Sequence, residues 1–87
     1  MARLLAWTDD AWDDYLHWQQ ADRTLLKRIN VLIADIQRGD PFEGIGKPEP
    51  LRHGLAGAWS RRIDGEHRLV YSVDDERLTI VQARYHY

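Results

Sequence analysis

The stretch Trp59-Ser60-Arg61-Arg62-Ile63-Asp64-Gly65-Glu66-His67-Arg68-Leu69-Val70-Tyr71-Ser72-Val73 places aromatic and β-branched residues on both sides of an Asp-Gly pair. Such a pair between two strand-like runs signals a two-residue hairpin, because both residues tolerate the positive φ that the tight turn needs. The reading predicts strands over 59–63 and 66–73. Pairing through the turn sets Arg61 opposite Arg68 and Trp59 opposite Val70 on one face. Leu69, Tyr71 and Val73 share the other face with Leu78 and Ile80, and that face is expected to rest on the helices. Arg61 and Arg68 are then expected to point out of the sheet, towards solvent or a ligand.

Towards the C-terminus, a turn near Asp75-Glu76 leads to a strand over 78–85 and the closing Arg84-Tyr85-His86-Tyr87. That tail gathers a guanidinium, two phenols and an imidazole, and His86 is a group suited to moving a proton near neutral pH. Towards the N-terminus lies a connection over 40–57 with three Pro and four Gly. Loops that long in a small domain are usually functional or disordered, and Leu51, Leu55 and the closely spaced prolines favour order. Before it, Leu25, Ile29, Leu32, Ile33 and Ile36 fall at i, i+4, i+7, i+8 and i+11, one face of a helix. Asp22 is its expected N-cap and Gly39 its stop, with Pro41 unable to continue it. An earlier helix over 9–20 is expected after the N-cap Thr8, with Asp9 and Asp10 suited to the positive end of its dipole. Arg3-Leu4-Leu5-Ala6-Trp7 reads as a short strand. The order is strand, helix, helix, then a three-stranded antiparallel meander. This is an α+β fold with two helices on one face of a small sheet.

The 87 residues make one domain, 1–87, with no repeat or low-complexity segment. Cysteine is absent, which removes disulfides and thiolate catalysis and suits a cytoplasmic protein. The chain has no long apolar run and no signal-peptide pattern, which argues against membrane insertion and secretion. The net charge of −2 hides an asymmetry, since Lys47, Arg52, Arg61, Arg62 and Arg68 outnumber the acidic residues around them. A local basic surface can serve a polyanion, although charge alone equally describes a solvated strand face.

Glu49 lies between Pro48 and Pro50. Neither proline has an amide hydrogen, and Pro50 pushes Glu49 into an extended conformation, so the carboxylate sits on a stiff mount. Arg52, Arg61, Arg62, Arg68 and Arg84 could grip phosphates, because guanidinium forks match phosphate oxygens in pairs. The plain alternatives are a loop that only turns the chain and an Arg68 that only pairs with a nearby carboxylate. His17 and His53 read as solvated, and His67 as a strand residue with a local partner. No His and carboxylate set has metal-ligand spacing, and no Gly-rich phosphate loop is present. Trp7 and Trp12 are expected to fix the first strand against the first helix. Trp18 and Trp59 could cover a partner or stack a base.

Several motifs occur together: Trp12-Asp13-Asp14-Tyr15-Leu16, Pro41-Phe42-Glu43-Gly44, Lys47-Pro48-Glu49-Pro50-Leu51, Trp59-Ser60-Arg61-Arg62-Ile63, Glu66-His67-Arg68-Leu69-Val70-Tyr71 and the closing Arg84-Tyr85-His86-Tyr87. In this order the set resembles the YoeB/Txe toxins, a branch of the RelE-type ribosome-dependent mRNA interferases, over nearly the whole chain. The resemblance implies a microbial-RNase-like fold and cleavage of mRNA in the ribosomal A site. It also implies a YefM-type antitoxin and a homodimer, with no cofactor and no metal. By motif, Glu49 matches the general base, Arg68 the phosphate-stabilising arginine and His86 the general acid, while Tyr87 is the terminal residue placed in the site. Lys47, Arg52, Arg61, Arg62 and Arg84 join Tyr87 as expected substrate contacts. The family often has Lys at the position of Arg52, and Arg could keep the charge there without shedding a proton. Strict alternation also puts His86 on the face opposite Arg68, so either a bulge re-aims the tail or the strand ends before Tyr85.

Two other classes compete. A ParE-like toxin on the same fold would bind DNA gyrase without catalysis and would not need Glu49, Arg68 and His86 together. A degenerate relative that only binds RNA or an antitoxin would not need the motif set intact.

Overall fold

The helices begin where short polar side chains accept backbone N–H groups. A computed structural model describes residues 3–52 and 57–85. In it, Thr8 caps α1 (Asp9–Ala21) by accepting the Ala11 amide at 3.1 Å. Asp22 caps α2 (Arg23–Arg38) by accepting the amides of Thr24 and Leu25. Gly39 closes α2 as expected. The periodic face of α2 is the core of the molecule: Ile29, Leu32, Ile33 and Ile36 are buried, and Leu25 packs at its margin. Each such side chain contributes roughly 1.5–3 kcal/mol through removal from water.

These residues pack on Leu69, Tyr71, Leu78 and Ile80, the sheet face expected to carry the core. The sheet has five strands in the order β1-β5-β4-β3-β2. They are β1 (Leu4–Trp7), β2 (Glu49–Pro50), β3 (Trp59–Arg62), β4 (Arg68–Val73) and β5 (Arg77–Gln82). β1 lies parallel to β5, and the other neighbours are antiparallel. The class is the expected α+β arrangement, with the meander widened to a five-stranded mixed sheet. β2 was not anticipated as a strand, but its cause was: Pro50 holds Glu49 extended, and Glu49 pairs with Ser60. Trp7 and Trp12 do join the first strand to the first helix, their rings 5.5 Å apart, with Tyr15 completing the cluster.

The hairpin register differs from expectation by one residue. Arg62 lies opposite Arg68, Arg61 opposite Leu69 and Trp59 opposite Tyr71. Asp64 is the reason. Its Oδ1 accepts the amides of Glu66 at 2.8 Å and His67 at 2.7 Å, which competes with a two-residue turn and widens the loop. Ile63 then donates to the His67 carbonyl at 2.9 Å. A one-residue slip moves every side chain of a strand to the other face. Arg61 is thereby turned into the core, fully buried, while Arg68 stays on the outer face. Among the described residues, no helix is long and apolar enough to cross a membrane.

Candidate active site

On the outer face, β2, β3 and β4 form a cleft of about 220 Å³ lined by Glu49, Pro50, Leu51, Arg52, Ser60, Arg68 and Val70. Arg68 Nη2 lies 2.7 Å from Glu49 Oε1. Its Nε donates to Ser60 Oγ at 3.0 Å. The arginine side chain is 12% exposed and the glutamate 61%. A fixed guanidinium thus forms the floor and an accessible carboxylate the rim. Arg52 adds an exposed cation to the lining. A larger depression of about 470 Å³ is lined by Asp10, Asp13, Asp14 and Arg84, among others. Three carboxylates suit a polyanion poorly.

The mount of Glu49 is built by the residue that the sequence misassigned. Arg61, expected as an outward substrate contact, instead holds the loop leading to Glu49. Its Nη2 donates to the carbonyls of Asp40 at 3.2 Å, Pro41 at 3.3 Å and Glu43 at 2.7 Å. Its Nη1 donates to the Ile45 carbonyl at 3.2 Å and to the Asp35 carboxylate. Its Nε donates to Tyr71 Oη at 3.2 Å, and that hydroxyl donates to the Pro41 carbonyl at 2.6 Å. The Arg61 hydrogen bond holds the Asp35 carboxyl below its ordinary value of 3.8, against the opposing effect of burial. Burial, in turn, pushes the Tyr71 phenol above 10.0. Gly46 completes the anchor, its carbonyl accepting the Arg62 amide at 2.7 Å, with φ +80°.

A bulge interrupts the pairing of β5 with β4. Val70 pairs with Gln82 and Tyr71 with Ile80, which leaves Val81 unpaired and shifts the alternation by one. β5 also ends at Gln82, before Tyr85, while the facing of His86 itself lies outside the described residues. Gln82 shares the outer face with Val70, and Ala83 is buried inward. Trp18 Nε1 donates to the Ala83 carbonyl at 2.8 Å, and Asp14 accepts the Ala83 amide at 3.0 Å. Trp18 is thus a core residue that holds the tail. Trp59 is half-buried against Phe42, with ring centres 4.7 Å apart.

The structure brings Glu49, Arg52 and Arg68 to one cleft. Arg62 is exposed on the same face, directly opposite Arg68 in the ladder. Lys47 is exposed two residues before Glu49 and takes a left-handed φ of 51°. Arg84 packs over the rings of Trp18 and Tyr85 at 5.9 and 4.9 Å and lines the acidic depression instead of the cleft. Arg61 is not accessible to any ligand. His86 and Tyr87, expected as the acid and its neighbour, lie outside the described residues, as does His53. Ser60, a small buried polar residue on the outer face, was missed. Its only sequence signal was its adjacency to the two arginines.

Residues 7–87 match the family model for the YoeB-like toxin of bacterial type II toxin-antitoxin systems. The chain belongs to that family. It is 61% identical to the toxin YoeB of Streptomyces coelicolor over 83 residues, covering 95% of this chain and 98% of the relative. Among solved structures, the YoeB dimer from Staphylococcus aureus superposes with a TM-score of 0.93 at 45% identity, over the whole of both chains. The toxin of a YoeB–YefM complex from the same organism gives 0.89 at 47% identity, covering 99% of this chain and all of the other. Family membership makes this chain the toxin half of a toxin–antitoxin pair and disfavours the gyrase-binding alternative.

Proposed function

We propose that the protein is a ribosome-dependent endoribonuclease that cuts mRNA in the A site, without a metal ion, and so inhibits translation. The observation that carries this reading is the Glu49–Arg68 ion pair of 2.7 Å in a basic outer-face cleft. Arg68 is the natural seat for the scissile phosphate. A phosphate entering there competes with Glu49 for the guanidinium and releases the carboxylate beside the ribose. Glu49 then takes the proton of the 2′-hydroxyl, whose oxygen attacks the adjacent phosphorus. Arg68 offsets the charge that develops on the phosphoryl oxygens, held at the right depth by Ser60. His86, the general acid implied by the family motif, protonates the departing 5′-oxygen. The products are a 2′,3′-cyclic phosphate and a 5′-hydroxyl. Arg52, Arg62 and Lys47 bind flanking phosphates, with Tyr87 beside the reacting centre.

The modest negative net charge gives little affinity for free RNA, so the ribosome supplies binding and orientation. The working compartment is the cytoplasm. A YefM-like antitoxin and a second copy of the chain are the proposed partners, by analogy with the Staphylococcus aureus complex and dimer.

The test maps 5′ ends on a defined mRNA in a reconstituted translation reaction, with a ribosome-free control. Wild type is expected to cut within the A-site codon only when ribosomes are present. Glu49→Ala and His86→Ala are each expected to slow cutting by roughly 100-fold or more, the usual contribution of a general acid or base. Equal cutting of naked and translated RNA would overturn the ribosome requirement. Full activity in either folded variant would overturn the acid-base pair.

A further inference from the structure

We propose that His67 is a positioning residue whose neutral ring latches the C-terminal segment, at Tyr85, onto the head of β4 beside Arg68. His67 is only 7% exposed. Its Nδ1 accepts the Tyr85 amide at 2.8 Å. The next residue, Arg68, donates its own amide to the Tyr85 carbonyl at 3.0 Å. Two consecutive residues thus bind the amide and the carbonyl of one residue. Tyr85 has a left-handed φ of 62°, a conformation that a bulky side chain keeps only when its surroundings hold it there.

The latch has a defined protonation state. A backbone amide is a donor, so Nδ1 must carry a lone pair, and the neutral ring keeps its proton on Nε2. Protonation would place an Nδ1–H against the Tyr85 N–H, two donors face to face. The contact is therefore made when the ring is neutral and is lost on acidification. Around the ring, Trp18 from α1 packs edge-on at 4.7 Å and the Tyr85 ring lies at 5.2 Å. Glu66 Oε1 is 3.9 Å from Nε2, and the Arg84 guanidinium lies over the neighbouring rings of Trp18 and Tyr85. Asp64 accepts the His67 amide, Asp14 of α1 accepts the Ala83 amide, and His17 packs on Trp18 at 4.8 Å.

The consequence for activity rests on the ribonuclease reading, in which the residue after Tyr85 is the general acid. A loose Tyr85 would leave that acid without a fixed origin, and small misplacements cost rate heavily. The latch itself is independent of that reading.

The test uses the full chain in two arms. In the first, nuclear magnetic resonance follows the Tyr85 amide protection factor and the His67 ring nitrogens against pH. Protection is expected to fall as Nδ1 becomes protonated, in one shared titration. His67→Phe keeps a ring but removes the acceptor, and should lower Tyr85 protection about tenfold, the scale of one hydrogen bond. His67→Asn places an amide oxygen near the Nδ1 position and cannot titrate, so it should restore protection and remove its pH dependence. In the second arm, mRNA cleavage on ribosomes should fall in His67→Phe and recover in His67→Asn. Protection in wild type that ignores the ring's titration would overturn the latch even if neither variant folded. Unaltered cleavage with Tyr85 unprotected would overturn the positioning role. A latch that titrates as described in a protein that never cuts mRNA would support the latch and count against the ribonuclease reading alone.

Discussion

At the scale of single residues, Arg61 and Arg62 are chemically identical neighbours with opposite fates. Arg61 is wholly buried with its guanidinium shared among a carboxylate, a phenol and four carbonyls, while Arg62 is exposed. A buried charge is tolerable only when its donors are matched, and removing one partner of a buried pair costs about 3–5 kcal/mol. Arg61→Met is expected to lose stability on that scale in urea unfolding and to release the 40–46 loop. Arg61→Lys should recover little, since one ammonium cannot reproduce a planar fork spread over so many acceptors. Arg62→Ala should leave the urea midpoint nearly unchanged and weaken substrate binding. The reverse pattern would refute the assignment of the two arginines.

Secondary-structure elements show how local chemistry sets geometry at a distance. The two strand connections of the meander are each organised by an aspartate. Asp64 accepts the amides of Glu66 and His67, and Asp74 accepts those of Glu76 and Arg77 at 2.8 Å each. The former widens the hairpin and so decides which of Arg61 and Arg62 lies on the outer face. Gly46 has the same kind of leverage on β2. Its φ is +80°, and an added Cβ would lie 2.8 Å from a Leu32 methyl and 3.2 Å from the Arg62 carbonyl. Gly46→Ala is therefore expected to lower both thermal stability and cleavage, by moving the segment that carries Glu49. Asp22→Ala provides the contrast: loss of the α2 cap should cost about 1 kcal/mol and leave cleavage per folded molecule unchanged. Equal effects of the two substitutions on cleavage would contradict the proposed coupling between the Gly46 turn and the site.

For the whole molecule, two carboxyls with depressed values contribute to acid sensitivity. Asp35 is held below its ordinary value of 3.8 mainly by the Arg61 hydrogen bond. Asp74 is held below 3.8 by the Glu76 amide first and then the Arg77 amide. A depressed folded-state value means that the stabilisation is complete above 3.8 and is lost as pH falls through the lower folded values. The urea midpoint is therefore expected to owe nothing to these groups' titration at neutral pH and to fall below about pH 4 as they protonate. Asp35→Asn should flatten part of that fall. A midpoint that drops no further in wild type than in Asp35→Asn below that point would show that the Arg61 pair is not a source of acid sensitivity.

What the sequence determined by itself is what depends on neighbours within a few residues. The caps at Thr8 and Asp22, the apolar face of α2, the stop at Gly39 and the extended Glu49 between two prolines follow from local sterics and hydrogen bonding. The same locality made Leu69, Tyr71, Leu78 and Ile80 legible as one core face. Tertiary structure decided everything that turns on parity or long-range pairing. The one-residue slip that buried Arg61, the bulge at Val81 that shifts the alternation of β5, and the seating of β1 beside β5 bring together residues far apart in the chain. Strand side chains alternate with a period of two, so one extra residue in a turn or bulge reverses every assignment beyond it. The types of residue that form the cleft were readable in the chain, but which of them face it was settled only when the sheet closed.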